Sequence, residues 1–337
     1  MKKISIITAC YNEEENVAIL CERIRAVMQT LPQYDYEHVF IDNASKDRTV
    51  ALIREEIAKD PHIRCIVNAR NFGHIRSPFY GMCQCYGDAV IAMASDLQDP
   101  PETIPALVAK WEAGYKVVIG VKNQSKENPL MFAVRKLFYN LLAKASETEQ
   151  VKNFTGFGLY DRQFMDVLRQ IDDPYPYFRG LVAELGFERA EVPFVQPKRE
   201  RGKTHNNFYT LYDMAMLGFV NHSKLPLRLA SFIGFGTAIL SLLVAIVYFI
   251  YKLIYWDSFA VGTAPLVIGL FFFSAVQLFF IGIIGEYVGA IHTQVRKRPL
   301  VIEKARINFD EKDAASPNGA TLLNGSASPN GATSLKG

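Results

Sequence analysis

The stretch GDAVIAMASDLQDPPE, residues 87–102, decides how this chain is read. A run of apolar and small residues, AVIAMA (89–94), passes into Asp96 and Asp99, with Gln98 between them and two prolines behind. A short, uninterrupted apolar run marks a strand buried on both faces, the habit of parallel sheets covered by helices. In such sheets ligands sit beyond the carboxyl ends of the strands, where these carboxylates stand.

The pattern repeats through the first 200 or so residues. KISIITACYN (3–12), YEHVFIDNAS (36–45), IRCIVNAR (63–70) and YKVVIGV (115–121) read as further strands. EENVAILCERIRAVMQTL (14–31) and DRTVALIREEIA (47–58) have helical spacing, the second with Asp47 as its cap. Alternating strands and helices predict an α/β domain with a mostly parallel sheet. Four strands then deliver polar groups to one edge: Asn12 and Glu13, Asp42 and Asn43, Arg70 and Asn71, and Asp96 to Asp99. The edge has neither G-x-G-x-x-G nor G-x-x-x-x-G-K-[ST], which argues against a dinucleotide cradle or a P-loop kinase. Aspartates are hard oxygen ligands that suit Mg²⁺ or Mn²⁺, and Asp96 and Gln98 are spaced to face one ion. Asp99, just before Pro100 and Pro101, has two readings: a further ligand, or the cap of the helix PETIPALVAKWEAG.

Composition bounds the rest. Half of the 337 residues are hydrophobic and the formal charge is only +3, which excludes a general nucleic-acid binder. The five cysteines all precede residue 86 and lack zinc or thioredoxin spacing, so they read as buried or idle thiols in a reducing compartment. The histidines show no zinc-protease spacing. MKKISIITAC turns polar too quickly for a signal peptide and reads as the first strand. Leu229–Tyr251 and Phe259–Gly285 are uncharged, and each exceeds the roughly 20 residues needed to cross a bilayer. Lys224 and Arg228 precede the first span, and Arg296, Lys297 and Arg298 follow the second, which predicts both termini on the cytoplasmic side. Gly285 and Gly289 form a small-xxx-small pair suited to pairing between copies, hence a homo-oligomer through these helices. Residues 206–223 carry an apolar helical face and read either as an interfacial helix or as one packed on the domain. The tail beyond about 310 repeats SPNGAT and reads as disordered.

ITACYNEEENV, IDNASKDRT, ARNFGH, SDLQDPPE and FTGFGLYDR, followed by two spans, resemble the family 2 glycosyltransferases that act on polyprenyl phosphates. The group includes dolichol-phosphate mannose synthases and bactoprenol glucosyltransferases. The resemblance implies a GT-A fold, a divalent metal, and inverting transfer of a hexose from a nucleotide diphosphate sugar to a lipid phosphate. Hydropathy, helical spacing and basic flanks together predict a cytoplasmic catalytic domain at 1–205, an amphipathic juxtamembrane helix at 206–228, two transmembrane helices within 229–290, and a basic segment with tail at 291–337. By the same resemblance Asp96 and Gln98 hold the metal, and Tyr11, Glu13, Asp42, Asn43 and Arg70 serve the nucleotide sugar. UDP-glucose is the first expectation and GDP-mannose the second. The chain departs from the pattern at Ala94 and at Gly156, where relatives often carry aspartates. A phosphate acceptor is already ionised near neutrality, its second pKa being about 6, so it needs positioning more than a base. Arg135, Arg199, Arg201, Lys203 and His205 are the candidate clamp, the last four doubling as a segment attracted to anionic lipid. Asp161 is a candidate base, or simply a helix cap. A non-catalytic nucleotide-sugar or lipid-binding scaffold is the competing reading, with Ala94 and Gly156 as its marks.

Overall fold

A computed structural model describes residues 1–122, 154–197, 263–295 and 298–309, with scattered helical positions between 232 and 254. The chain divides into two compact units. The α/β unit holds the first two ranges and the last; the other unit holds the long apolar helix.

The α/β unit is built on one eight-stranded sheet in the order β7-β5-β6-β4-β1-β2-β3-β8. The strands are β1 (Lys2–Cys10), β2 (Tyr34–Asp42), β3 (Ile63–Asn68), β4 (Ala89–Ala94), β5 (Val117–Lys122), β6 (Phe154–Asp161), β7 (Arg189–Phe194) and β8 (Glu303–Ile307). β1 pairs in parallel with both β2 and β4, and β2 with β3. β6 runs antiparallel between β4 and β5, and β8 antiparallel against β3. Strand order reverses at β1, between β2 and β4, and the carboxyl ends on either side of such a reversal open a binding crevice.

Near-continuous apolar strands need cover on both faces, and two cores supply it. On one face α1 (Val17–Gln29) buries Val17, Leu20, Cys21, Ile24, Val27 and Met28 at helical spacing, joined by α2 (Thr49–Lys59) and α4 (Ile104–Glu112). On the other lie α3 (Gly73–Cys83), α5 (Arg162–Arg169) and α6 (Phe178–Glu184). α3 sits close on the sheet because Gly81 has no side chain: a Cβ there would meet Ile41 and Ile7 at 2.9 Å. All five cysteines are buried free thiols, and burial pushes Cys21 and Cys83 up to about 12.

One feature departs from the sequence reading. β8 lies in the segment assigned there to a basic stretch and tail, yet it closes the β3 edge of the sheet. Val301 and Glu303 are each 1% exposed, and Glu303 accepts from Tyr80 at 2.7 Å and from both Nε and Nη2 of Arg306 at 2.7 Å. In the other unit α7 (Thr263–Val295) is the one helix among the described residues long and apolar enough to cross a membrane. Its apolar window is Phe272–Gly289, of mean hydropathy 1.6. At about 1.5 Å per residue it would span roughly 50 Å, more than a bilayer core of about 30 Å. Of the earlier expected span at 229–251 about half the residues are described, all of them helical, while the 206–228 segment and the tail lie outside the described residues.

Candidate active site

The loops that leave the carboxyl ends of β1, β2, β3 and β4, with the start of antiparallel β6, meet at one edge of the sheet. Each of these segments contains a residue with positive φ: Asn12 (54°), Ala44 (63°), Gly73 (89°), Leu97 (59°) and Gly156 (106°). Three of the five carry a side chain in a region that disfavours it, and such strain concentrates where loops are shaped for a ligand.

The β1 and β2 loops are tied together. Asn12 N donates to Ser45 Oγ at 2.9 Å, Lys46 N to Asn12 Oδ1 at 2.8 Å, and Glu13 N to Thr49 Oγ1 at 2.9 Å. Glu13 is buried and accepts from Asn16 Nδ2 at 2.6 Å. Asp42 is fully buried and accepts from Ser45 N at 3.1 Å; burial raises its pKa against the lowering effect of its hydrogen bonds at Ser45 and Ala44. Asp47 accepts from Thr49 N at 3.0 Å, but Arg48 and not Asp47 stands at the N-cap of α2, so the contact braces the turn before the helix.

Asn43 joins the β2 and β3 loops. Its Nδ2 donates to Asn71 Oδ1 at 2.9 Å and to Gly73 O at 3.2 Å, and its Oδ1 accepts from Phe72 N at 2.8 Å and Asn68 Nδ2 at 3.2 Å. That amide is spent inside the protein, so Asn43 acts on the site by fixing loops. Arg70 is exposed; its Nη1 donates to Asn71 O at 2.9 Å and its guanidinium lies 4.0 Å from the Phe72 ring centre.

At β4, Asp96 and Gln98 are half-buried and flank the left-handed Leu97, with Gln98 N donating to Asp96 Oδ1 at 3.2 Å. Asp99 does not cap the following helix. Its Oδ2 accepts from Ala94 N at 2.9 Å, pinning the loop back on its own strand, and burial lifts it to about 6. Among the described residues no cluster of three His, Cys, Asp or Glu side chains forms a complete metal site. A carboxylate and an amide oxygen two residues apart fit a partial site for a hard cation that takes its other ligands from substrate and water.

Asp161 stands at the other edge. β6 is antiparallel to β4, so Asp161 pairs with Ala89, the first residue of β4, about 16 Å from Ala94 at some 3.3 Å per residue. There it caps α5 through Gln163 N at 2.9 Å, accepts from Trp111 Nε1 at 2.7 Å and meets Lys116 Nζ at 3.5 Å. Of the residues predicted from sequence, Tyr11, Glu13, Asp42, Asn43, Arg70, Asp96 and Gln98 share the ligand edge. Arg135, Arg199, Arg201, Lys203 and His205 lie outside the described residues. His74, Arg76 and Arg179 were not singled out from sequence. Only the fold carries α3 and α6 to this edge.

The model of Glycosyl transferase family 2 matches residues 5–168, from β1 to α5. A bactoprenol glucosyl transferase derived from the SfII prophage of Shigella flexneri is 32% identical over 303 residues, covering 90% of this chain and 97% of its own. The chain belongs to glycosyl transferase family 2. The glycosyltransferase YkcC of Bacillus subtilis (strain 168) is also 32% identical, over 312 residues, covering 91% of this chain and 95% of its own. A prophage bactoprenol glucosyl transferase homolog of Escherichia coli (strain K12) is 31% identical over 309 residues. Among solved structures, mannosyl-3-phosphoglycerate synthase from Rubrobacter xylanophilus aligns with a TM-score of 0.44 at 16% identity, over 64% of this chain and 71% of that one. The family match covers every loop of the site described above, and the relatives extend it through the apolar C-terminal stretch.

Proposed function

We propose that this family 2 enzyme transfers a hexose from a nucleotide diphosphate sugar to a polyprenyl phosphate at the cytoplasmic face of a membrane. UDP-glucose is the favoured donor and GDP-mannose the second. The observation that carries the reading is full-length similarity to bactoprenol glucosyl transferases, with a carboxylate-bearing loop at the carboxyl edge of the sheet. In the reaction a phosphate oxygen of the acceptor forms a bond to the anomeric carbon from the face opposite the leaving group. The bond from that carbon to the diphosphate breaks, and its electron pair leaves with the nucleoside diphosphate. The acceptor enters as an anion, so no side chain has to remove a proton. Asp161 at the far edge and Gly156 at the near one both suit that economy. Asp96 and Gln98 would hold Mg²⁺ or Mn²⁺, which neutralises charge on the leaving diphosphate. Tyr11, Glu13 and Arg70 serve the nucleotide, with Asp42 and Asn43 holding their loops in place. Arg135, Arg199, Arg201, Lys203 and His205 remain the proposed acceptor clamp.

The membrane part of the reading gains support from β8. β7 and β8 lie in one sheet, so any membrane excursion between them crosses an even number of times. α7 supplies one crossing, and the 229–251 stretch is apolar enough to supply the other. The test is a screen of radiolabelled nucleotide sugars with extracted polyprenyl phosphate and Mn²⁺, run on the wild type and on Asp96→Ala. Label should move to lipid from one donor only, and Asp96→Ala should lose that activity while melting like the wild type. Full activity in the purified variant would remove Asp96 from the metal, and no turnover of any donor would leave a binding scaffold.

A further inference from the structure

Three basic side chains stand on the α3/α6 side of the ligand edge. His74 and Arg76 lie on the first turns of α3, just beyond the loop held by Asn43. Arg179 is the second residue of α6, and its Nη1 reaches the backbone oxygen of Phe154, at the ligand-edge end of β6, at 3.5 Å. Arg76 and Arg179 sit against aromatic rings rather than acids, at 5.3 Å from the Tyr175 ring centre and 5.7 Å from that of Tyr177. Nε of Arg76 is buried with no hydrogen-bond partner. Among the described residues no carboxylate pairs with either arginine. The charge of Arg179 reaches α3, where burial and that charge together lower the pKa of His74. Other arginines of the unit are matched by acids, Arg23 with Glu102, Arg25 with Asp60, Arg64 with Glu37 and Arg306 with Glu303, whereas the exposed Arg70 has none among the described residues. A partly buried guanidinium without a counter-ion is costly unless an anion completes it.

We propose that Arg76 and Arg179, with His74 beside them, bind a phosphate group of one of the two substrates. This rests on the proposed transfer reaction, which offers two sources: the diphosphate of the nucleotide sugar and the monophosphate of the acceptor. Arginine suits either, because its planar fork donates two parallel hydrogen bonds to phosphate oxygens.

The experiment uses the full chain in detergent. In the first arm, inorganic pyrophosphate is titrated in EDTA at fixed ionic strength and the melting temperature is followed. Pyrophosphate should raise it for the wild type, and the rise should vanish in the Arg76→Gln, Arg179→Gln double variant. An equal rise in the two proteins, or none in the wild type, overturns the site. In the second arm UDP and farnesyl phosphate are titrated separately. The double variant should lose roughly ten- to a hundredfold in affinity for one of them, the range of a charge-assisted contact, and under twofold for the other. The affected ligand names the source, and two unchanged affinities in a folded variant overturn the proposal. Should the glutamine variant fail to fold, Arg76→Lys with Arg179→Lys keeps the charge and loses the fork. It should then bind several-fold more weakly, and wild-type binding there overturns the proposal too. The pyrophosphate arm involves no sugar transfer, so it separates failure of this site from failure of the transferase reading.

Discussion

Ala44 shows how much a single backbone angle carries. Its φ of 63° is a conformation that costs a non-glycine residue roughly 1–2 kcal/mol. The fold holds it there because Ser45 N must reach Asp42 Oδ2 and Ser45 Oγ must accept from Asn12 N. Ala44→Gly removes the strain but adds about 0.4–1 kcal/mol of freedom to the unfolded chain. The net should be a gain of about 0.5–1 kcal/mol in urea denaturation, and a loss would mean the turn is unstrained. Asp161 makes the contrary point, because its contacts are structural. Asp161→Asn keeps an acceptor for the α5 cap but sets an amide against Trp111 Nε1 or Lys116. It should lower stability by about 1–3 kcal/mol. Its pH–rate profile should match the wild type, rising through about pH 6 and then levelling. A fall of orders of magnitude in single-turnover rate at unchanged stability would return Asp161 to catalysis.

Elements were legible in proportion to how plainly burial was written into them. β1 to β5 are runs such as ISIITA and AVIAM, and α1 and α2 repeat at helical spacing, so the parallel half of the sheet and its ligand edge follow from the chain itself. β6 was visible as a motif, but its direction was not. An antiparallel strand puts its last residue at the opposite edge from a parallel one, and that alone moved Asp161 away from the site. β8, EKARI, was hidden because its one buried residue, Glu303, is a charge held by Arg306, and only Ala305 and Ile307 pack on the core. The charged pair gives a sharp expectation. Side chains of Arg306 and Glu303 are 9% and 1% exposed, so Arg306→Ala strands a buried carboxylate held otherwise only by Tyr80. Breaking one partner of a buried pair costs about 3–5 kcal/mol. The melting temperature should drop by many degrees and proteolysis should first release the segment after residue 297. A variant as stable as the wild type would mean β8 contributes nothing to the edge.

At the scale of the molecule, the chain leaves the sheet after β7, runs through its apolar stretch and returns as β8. With basic flanks on that stretch, cysteine placed at 257 should label from outside intact cells and cysteine at 300 only after permeabilisation. The reverse pattern would strand the site away from cytosolic donors. The same return path sets a schedule for biosynthesis. Ribosomes deliver β3 more than 230 residues before β8, with the apolar stretch between them. Until β8 arrives, β3 presents open backbone donors and acceptors, a template for stray pairing. The final strand therefore closes the sheet last, and on the proposed topology chains stalled before it would be marked by an open edge.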